Sequence, residues 1–374
     1  MAQHDPSLVE DWRGPESWRP GARVPVAQLL AEITDLQRQL ELAAADVSSG
    51  DEYARVQYLA AQTRGLRFAA DRQLGRNTSI DEQLREEFAI EPAPFEPTGM
   101  ARIREELERL LPGEAPLAAR VDALRGDTVV PRDRRAIVID AALEACRSAT
   151  TQVLPLPHED QVRVSFQTGI PWDAFIRYAG NGASVLHISD EGELDIARAL
   201  RLACHEAYPG HHIQQLLIDR VYGNRHSTWQ ELLLSPGFGR HLLFLEGAAE
   251  VGADLAFTAA ERERAFRERL FPAAGLPADP AAVLTQVEPL IHDLQPVVSD
   301  VARQYLAGAI SQERAIERLR HEALIANPSG TLAFIEQRRA RALVYGEGRR
   351  MVYSMMKTRD LAGLHDAFRR VAAI

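Results

Sequence analysis

The chain has 374 residues, 46% of them hydrophobic, which is enough for one large or two medium domains with a proper buried core. A formal charge of −10 excludes a general nucleic-acid binder, which needs a clustered surplus of lysine and arginine, and makes acidic polyanions poor partners. Two cysteines, Cys146 and Cys204, are too few for a disulfide scaffold, and Cys204, beside His205 on a helix, is expected to be a small buried packing residue.

Residues 1–20 read as an N-terminal extension carrying Asp5, Glu10, Asp11 and Glu16, with no apolar run resembling a signal peptide. No segment reaches membrane-spanning length, so a cytoplasmic location and no membrane partner are expected. From Val24 to about Val47 the residues Leu29, Leu30, Ile33, Leu36 and Leu40 fall at helical spacing, and a second helix follows from Asp51 to about Leu74. Ser79-Ile80-Asp81-Glu82 reads as an N-cap opening a third helix that ends before Glu91-Pro92-Ala93-Pro94. Further helical runs cover about 99 to 111 and 131 to 150, so residues 21–155 form a helical wall or lid.

Between Asp160 and Asp190 the period changes to two. Val162, Val164 and Phe166 alternate with polar neighbours, and two apolar runs flank Ala179-Gly180-Asn181-Gly182, which predicts a strand and a β-hairpin. Helix resumes near Leu194, and about 238 to 265, 280 to 324, 330 to 356 and 360 to 372 read helical. The expected architecture is mostly α, with one small sheet preceding a metal-binding helix over 194–219. The region 156–374 is expected to be catalytic and continuous with the helical wall.

His205-Glu206-Ala207-Tyr208-Pro209-Gly210-His211-His212 places three imidazoles and a carboxylate in eight residues. Zinc takes imidazole nitrogens and carboxylate oxygens as ligands, and a nearby glutamate can take a proton from water. In a regular helix two histidines four apart share a face, but here His211 lies six and His212 seven residues after His205. Pro209 cannot donate to the His205 carbonyl and Gly210 tolerates unusual backbone, so a break at 208–210 can swing a later histidine back. His211 is the preferred second ligand, with His212 as the alternative. For the third ligand, Phe244-Leu245-Glu246-Gly247-Ala248-Ala249-Glu250 offers two acids on one face among small residues that permit close packing on the metal helix. Glu246 is assigned as ligand and Glu250 as the acceptor that orients a ligand histidine.

The segment Leu202 to Gln214, with its His-Glu-Ala-Tyr-Pro-Gly-His-His core, resembles the signature of the domain-of-unknown-function 885 family of metallopeptidase-like bacterial proteins. Glu246-Gly247-Ala248-Ala249 matches in part that family's Glu-Gly-Trp-Ala segment, and the likeness extends over most of residues 20–370. The resemblance implies a large helical zincin-like fold, akin to Taq-type carboxypeptidases and gluzincins, with two histidines and a glutamate on zinc. The chain departs from the pattern at Ala248, where the family has tryptophan, and at Tyr345-Gly346-Glu347-Gly348-Arg349-Arg350, where it has Pro-Gly-Gln-Ala.

The reading is therefore a zinc-dependent hydrolase of small peptide or amide substrates with one Zn2+ per chain, held by His205, His211 and Glu246, and with Glu206 activating water. Tyr345, Tyr353 and Arg349 are candidate donors to the oxyanion. The hairpin around Asn181 offers an edge strand to an extended peptide. His321-Glu322 lacks a further histidine at ligand spacing and is expected to be a decoy. The alternatives are a zinc-dependent lyase, cyclase or isomerase of a specialised pathway, motivated by the altered C-terminal segment, and a non-catalytic helical binding protein.

Overall fold

The computed structural model describes residues 1–19, 22–47, 50–169, 173–220 and 229–372. After a short strand β1 (Val9–Trp12), the first half runs α1 (Val26–Asp46), α2 (Gly50–Gln73), α3 (Ile80–Glu86), α4 (Pro97–Leu110), α5 (Leu117–Gly126) and α6 (Arg135–Thr151). The Ser79 cap operates as expected, its hydroxyl accepting from the Glu82 N–H at 3.1 Å, and Pro97 begins α4 two residues ahead of the expected run. Helix α5 had no counterpart in the sequence reading; it is short and buries Leu117, Val121 and Leu124. The pair α1 and α2 forms an outer wall, with only Ile33 and Leu40 of α1 buried.

A three-stranded sheet follows: β2 (Gln161–Gln167), β3 (Ala174–Gly180) and β4 (Ala183–Ser189), in the order β2-β4-β3. Strand β4 pairs in parallel with β2 (Val164 opposite Leu186) and antiparallel with β3 (Ile176 opposite Leu186), so β3 is an edge. Alternation places Ser184, Leu186 and Ile188 inward. The expected hairpin is present, and Gly180, Asn181 and Gly182 all take positive φ in its turn.

The second half comprises α7 (Ile196–Glu206), α8 (His211–Ile218), β5 (Leu234–Pro236), α9 (Gly239–Leu255), α10 (Ala259–Ala265), α11 (Phe271–Ala274), α12 (Ala281–His292), α13 (Gln295–Leu306), α14 (Gln312–His321), α15 (Pro328–Arg338), α16 (Val344–Met355) and α17 (Leu361–Ala372). Three expected long helices are broken. A Thr258–Glu261 capping box starts α10, Pro296 and the Ser311 cap subdivide 280–324, and Arg339 at φ +50° separates α15 from α16. Within the N-terminal extension, β1 pairs antiparallel with β5 and ties residues 9–12 to the second half of the chain.

Helix α9 is the central element, touching α2, α7, α8, α16 and α17. The small residues do allow close approach, Gly247 to α16 and not to the metal helix, while Gly252 and Ala248 face Pro209 in the break of that helix as expected. Gly247 meets the Gly348 backbone of α16 with no room for a Cβ on either residue, and a Cβ on Gly252 would stand 2.8 Å from Cγ of Pro209. Helices α6 and α7 are joined by a disulfide between Cys146 and Cys204, Cα atoms 5.5 Å apart. Cys204 is buried as expected, yet it is not an unpaired packing residue. Two cysteines 58 positions apart give no sign in sequence that their helices pack face to face. None of the helices is long and apolar enough to cross a membrane, among the described residues.

Candidate metal centre

Helix α7 is capped by Asp195, whose carboxylate accepts from the Arg198 N–H at 2.9 Å, and it buries Leu200, Ala203 and Cys204 against the core. It stops at Glu206. The Ala207 and Tyr208 amides both turn back to the Ala203 carbonyl, the Tyr208–Pro209 peptide is cis, and the Gly210 amide reaches the Cys204 carbonyl at 3.0 Å. Gly210 lies directly against the His205 carbonyl, where no side chain fits. Helix α8 then starts at His211, and the rings of His205 and His211 meet edge to face with centroids 4.9 Å apart. The break foreseen at 208–210 is what makes the two histidines neighbours.

Glu246 of α9 completes the cluster. Its Oε2 lies 3.5 Å from Nε2 of His205 and 3.4 Å from Nε2 of His211, and one donor atom from each of the three residues lies within 4.8 Å of the others. Ligand atoms about 2.1 Å from a tetrahedral zinc stand about 3.4 Å from one another, so two of the three separations already suit a shared cation. The other ring nitrogens are committed elsewhere. Nδ1 of His205 is 2.9 Å from Oε1 of Glu250, and Nδ1 of His211 is 2.9 Å from Oε1 of Gln214, whose amide N–H donates to the Leu245 carbonyl at 2.9 Å. With Nδ1 of each ring held by these acceptors, both Nε2 atoms face Glu246, placed to bind a cation in place of a proton.

The field at this point favours a cation. Burial alone would depress the His205 imidazole, yet Glu246 and Glu250 raise it to about 10. Burial would lift Glu246, yet His211 and His205 hold it at about 2. Three carboxylates, Glu206, Glu246 and Glu250, surround two imidazoles, and two nitrogens plus a carboxylate oxygen form a donor set suited to zinc.

Glu206 is buried beside the cluster and accepts from the Ile176 main-chain N–H of edge strand β3. Burial raises its pKa, as does Glu246, while His205 and His211 pull the other way; the balance is upward, as suits a base working near neutrality. Tyr345 of α16 also reaches the site, its ring 6.2 Å from that of His205. Burial and the charges of Glu246, Glu206 and Glu250 raise its pKa, so the phenol keeps its proton and remains a donor.

Other expected site residues lie elsewhere. Arg349 and Tyr353 do not face the cluster: Nε of Arg349 and the Tyr353 hydroxyl bind Oδ2 of Asp254 at 2.6 and 3.2 Å, and Nη2 of Arg349 binds Asp293 at 2.7 Å. They fall one and two turns beyond Tyr345 on α16, further along α9. His212 points away into the core, with Nδ1 2.7 Å from the Ser184 hydroxyl and Nε2 2.9 Å from Asp160. This is the connectivity of a serine-hydrolase triad, but His212 and the Asp160 side chain are 0% exposed, so it serves as a clamp between β4 and α8. Ala248 lines an apolar hollow with Pro209, Ile213 and Leu364, facing away from Glu246, so the departure at 248 leaves the metal face untouched. His321 ends α14 on the exposed surface.

The structure also adds residues that the sequence reading missed. Arg201 pairs with Glu250 and, at 3.1 Å, with Asp254, and Nε2 of His292 is 3.0 Å from Oε2 of Glu250. The signal for two of these was present: Arg201 and His205, and Glu246, Glu250 and Asp254, recur at four-residue spacing. His292 and Asp160 come from segments with no such pattern.

No family model matches the chain, and no curated protein does. Among solved structures, the chain is similar to a candidate lipoprotein from Colwellia psychrerythraea (15% identity, TM-score 0.54, covering 91% of this chain and 69% of that one). It is likewise similar to a candidate lipoprotein of unknown function from Shewanella oneidensis (14%, 0.52, 93% and 72%). A carboxypeptidase of Pyrococcus furiosus aligns at 13% identity over 93% of this chain and 70% of that one, with a TM-score of 0.40, too low to carry an argument. The likeness to the two lipoproteins shows a shared fold.

Proposed function

We propose that the chain is a zinc-dependent hydrolase of peptide or amide bonds in small substrates, with one zinc per chain held by His205, His211 and Glu246. The observation that carries this reading is the convergence of three donor atoms within 4.8 Å beside a buried glutamate. Kinship with the domain-of-unknown-function 885 family and a zincin-like fold are part of the same proposal, resting on the motif between Leu202 and Gln214.

Bound zinc would supply Lewis acidity and ease the deprotonation of water. Glu206 takes the proton of the attacking water, its raised pKa placing it closer to neutrality, and returns it to the leaving amine. Tyr345, protonated by its surroundings, donates to the carbonyl oxygen as it gains charge. The edge of β3 beside Glu206 offers main-chain groups to align an extended substrate. The charges gained in the 345–350 segment are paired within the fold, Glu347 with Arg303 at 3.1 Å and Arg350 at 3.0 Å, and Arg349 with Asp254 at 2.6 Å.

The default cytoplasmic location is opposed by the Cys146–Cys204 disulfide, a bond that persists in oxidising compartments, and we place the protein in one. The test of function is incubation of the zinc-loaded protein with peptide and acyl-amide libraries. Wild type should cleave, and Glu206→Gln should retain its zinc and lose at least about 100-fold in rate. Silence of a zinc-replete wild type, or an unchanged rate in the variant, contradicts the reading.

A further inference from the structure

A second constellation lies apart from the metal centre, between the end of α2 and the junction of α15 with α16. Arg72, Arg76, Asn77, Thr78 and Arg339 line an open hollow of about 290 Å³. Two of the three arginines have acidic partners outside the lining: Arg72 with Glu87 at 3.1 Å, and Arg76 with Glu82 at 2.6 Å and Asp71 at 3.6 Å. Arg339 differs. Its Nη2 donates to the Thr78 carbonyl at 3.2 Å, and among the described residues no carboxylate lies within ion-pair distance of it.

The arrangement is costly. Burial and the neighbouring charge of Arg72 both disfavour the Arg339 cation, and burial lifts Glu87 to about 7, so near neutrality Arg72 is only partly compensated. Arg339 itself sits at φ +50°, ψ −126°, a backbone region that strains any residue with a side chain. A strained residue presenting an uncompensated guanidinium to a hollow next to a second guanidinium is organised to receive an anion. The planar forks of two arginines suit a tetrahedral oxyanion held by paired hydrogen bonds.

We propose that this hollow binds the dianionic phosphate group of a small phosphate monoester, gripped by Arg339 and Arg72, with Arg76 at the rim. The hollow is open and leaves room beside the phosphate for an ester's organic group, and the two ligands of the test separate the ester from free phosphate. The metal centre plays no part in this assignment.

The test is calorimetric titration of the full chain with phenyl phosphate and with inorganic phosphate, at ionic strength matched with sodium chloride. Arg339→Gly is the test variant, because it removes the guanidinium while relieving the positive φ. Arg85→Ala, an exposed arginine paired with Glu91, is the control. The wild type should show saturable binding of both ligands, tighter for the ester. Arg339→Gly should weaken both at least about tenfold, equivalent to about 1.4 kcal/mol, and Arg85→Ala should change neither. Absence of saturable binding, or equal affinity in Arg339→Gly, overturns the site; tighter binding of inorganic phosphate overturns the ester assignment.

Discussion

Gly210 lies against the main-chain carbonyl of His205, so close that a single added methyl group has no place to go. That contact locks the turn that reverses the chain between α7 and α8 and brings His211 beside His205. Gly210→Ala is therefore expected to open the turn, abolish zinc binding and cost about 3 kcal/mol of stability. Urea unfolding and metal analysis of the variant check this. A variant that keeps its zinc would show that the turn is not what gathers the ligands.

The two adjacent histidines separate cleanly by role. His211→Ala removes a donor of the cluster and should lose zinc with little loss of stability in the metal-free protein. His212→Ala should keep zinc but lose about 2 kcal/mol, because the buried Ser184 hydroxyl loses its partner and Asp160 keeps only Arg147 and Tyr208. Metal stoichiometry and denaturant midpoints of the two variants read the difference, and the opposite pattern would exchange their assignments.

Glu87 should impose a pH dependence on stability. Burial raises it to about 7 from an ordinary value near 4.5, despite Arg72. Between these values the native state holds more protons than the unfolded chain, so stability falls as pH rises through this window, by about 3 kcal/mol in total. Glu87→Gln should remove that decline and be more stable than wild type at pH 8, with little difference at pH 4. Unfolding in urea at both pH values measures it, and a variant less stable at pH 8 would refute the sign.

Much of this organisation was legible in local chemistry. Ser79 announced its helix, the alternation of Val162, Val164 and Phe166 announced the sheet, and Pro209 with Gly210 announced the break that the ligand spacing required. Glu246 and Glu250 were legible because four-residue spacing puts both on one helix face. What was not legible depends on partners distant in the chain. The facing of Cys146 and Cys204, the capture of His212 by Asp160, and the diversion of Arg349 and Tyr353 to Asp254 are decided by how helices dock. Arg349 and Tyr353 share a helix with Tyr345, but only Tyr345 lies at the level of the cluster.

The central claim is that a broken helix and its central neighbour form one cation site. Its most direct measurement is elemental analysis of the purified protein, wild type beside His205→Ala. The account predicts about one zinc per wild-type chain and none in the variant. A wild-type protein that takes up no zinc, or a variant that retains it, would contradict the account.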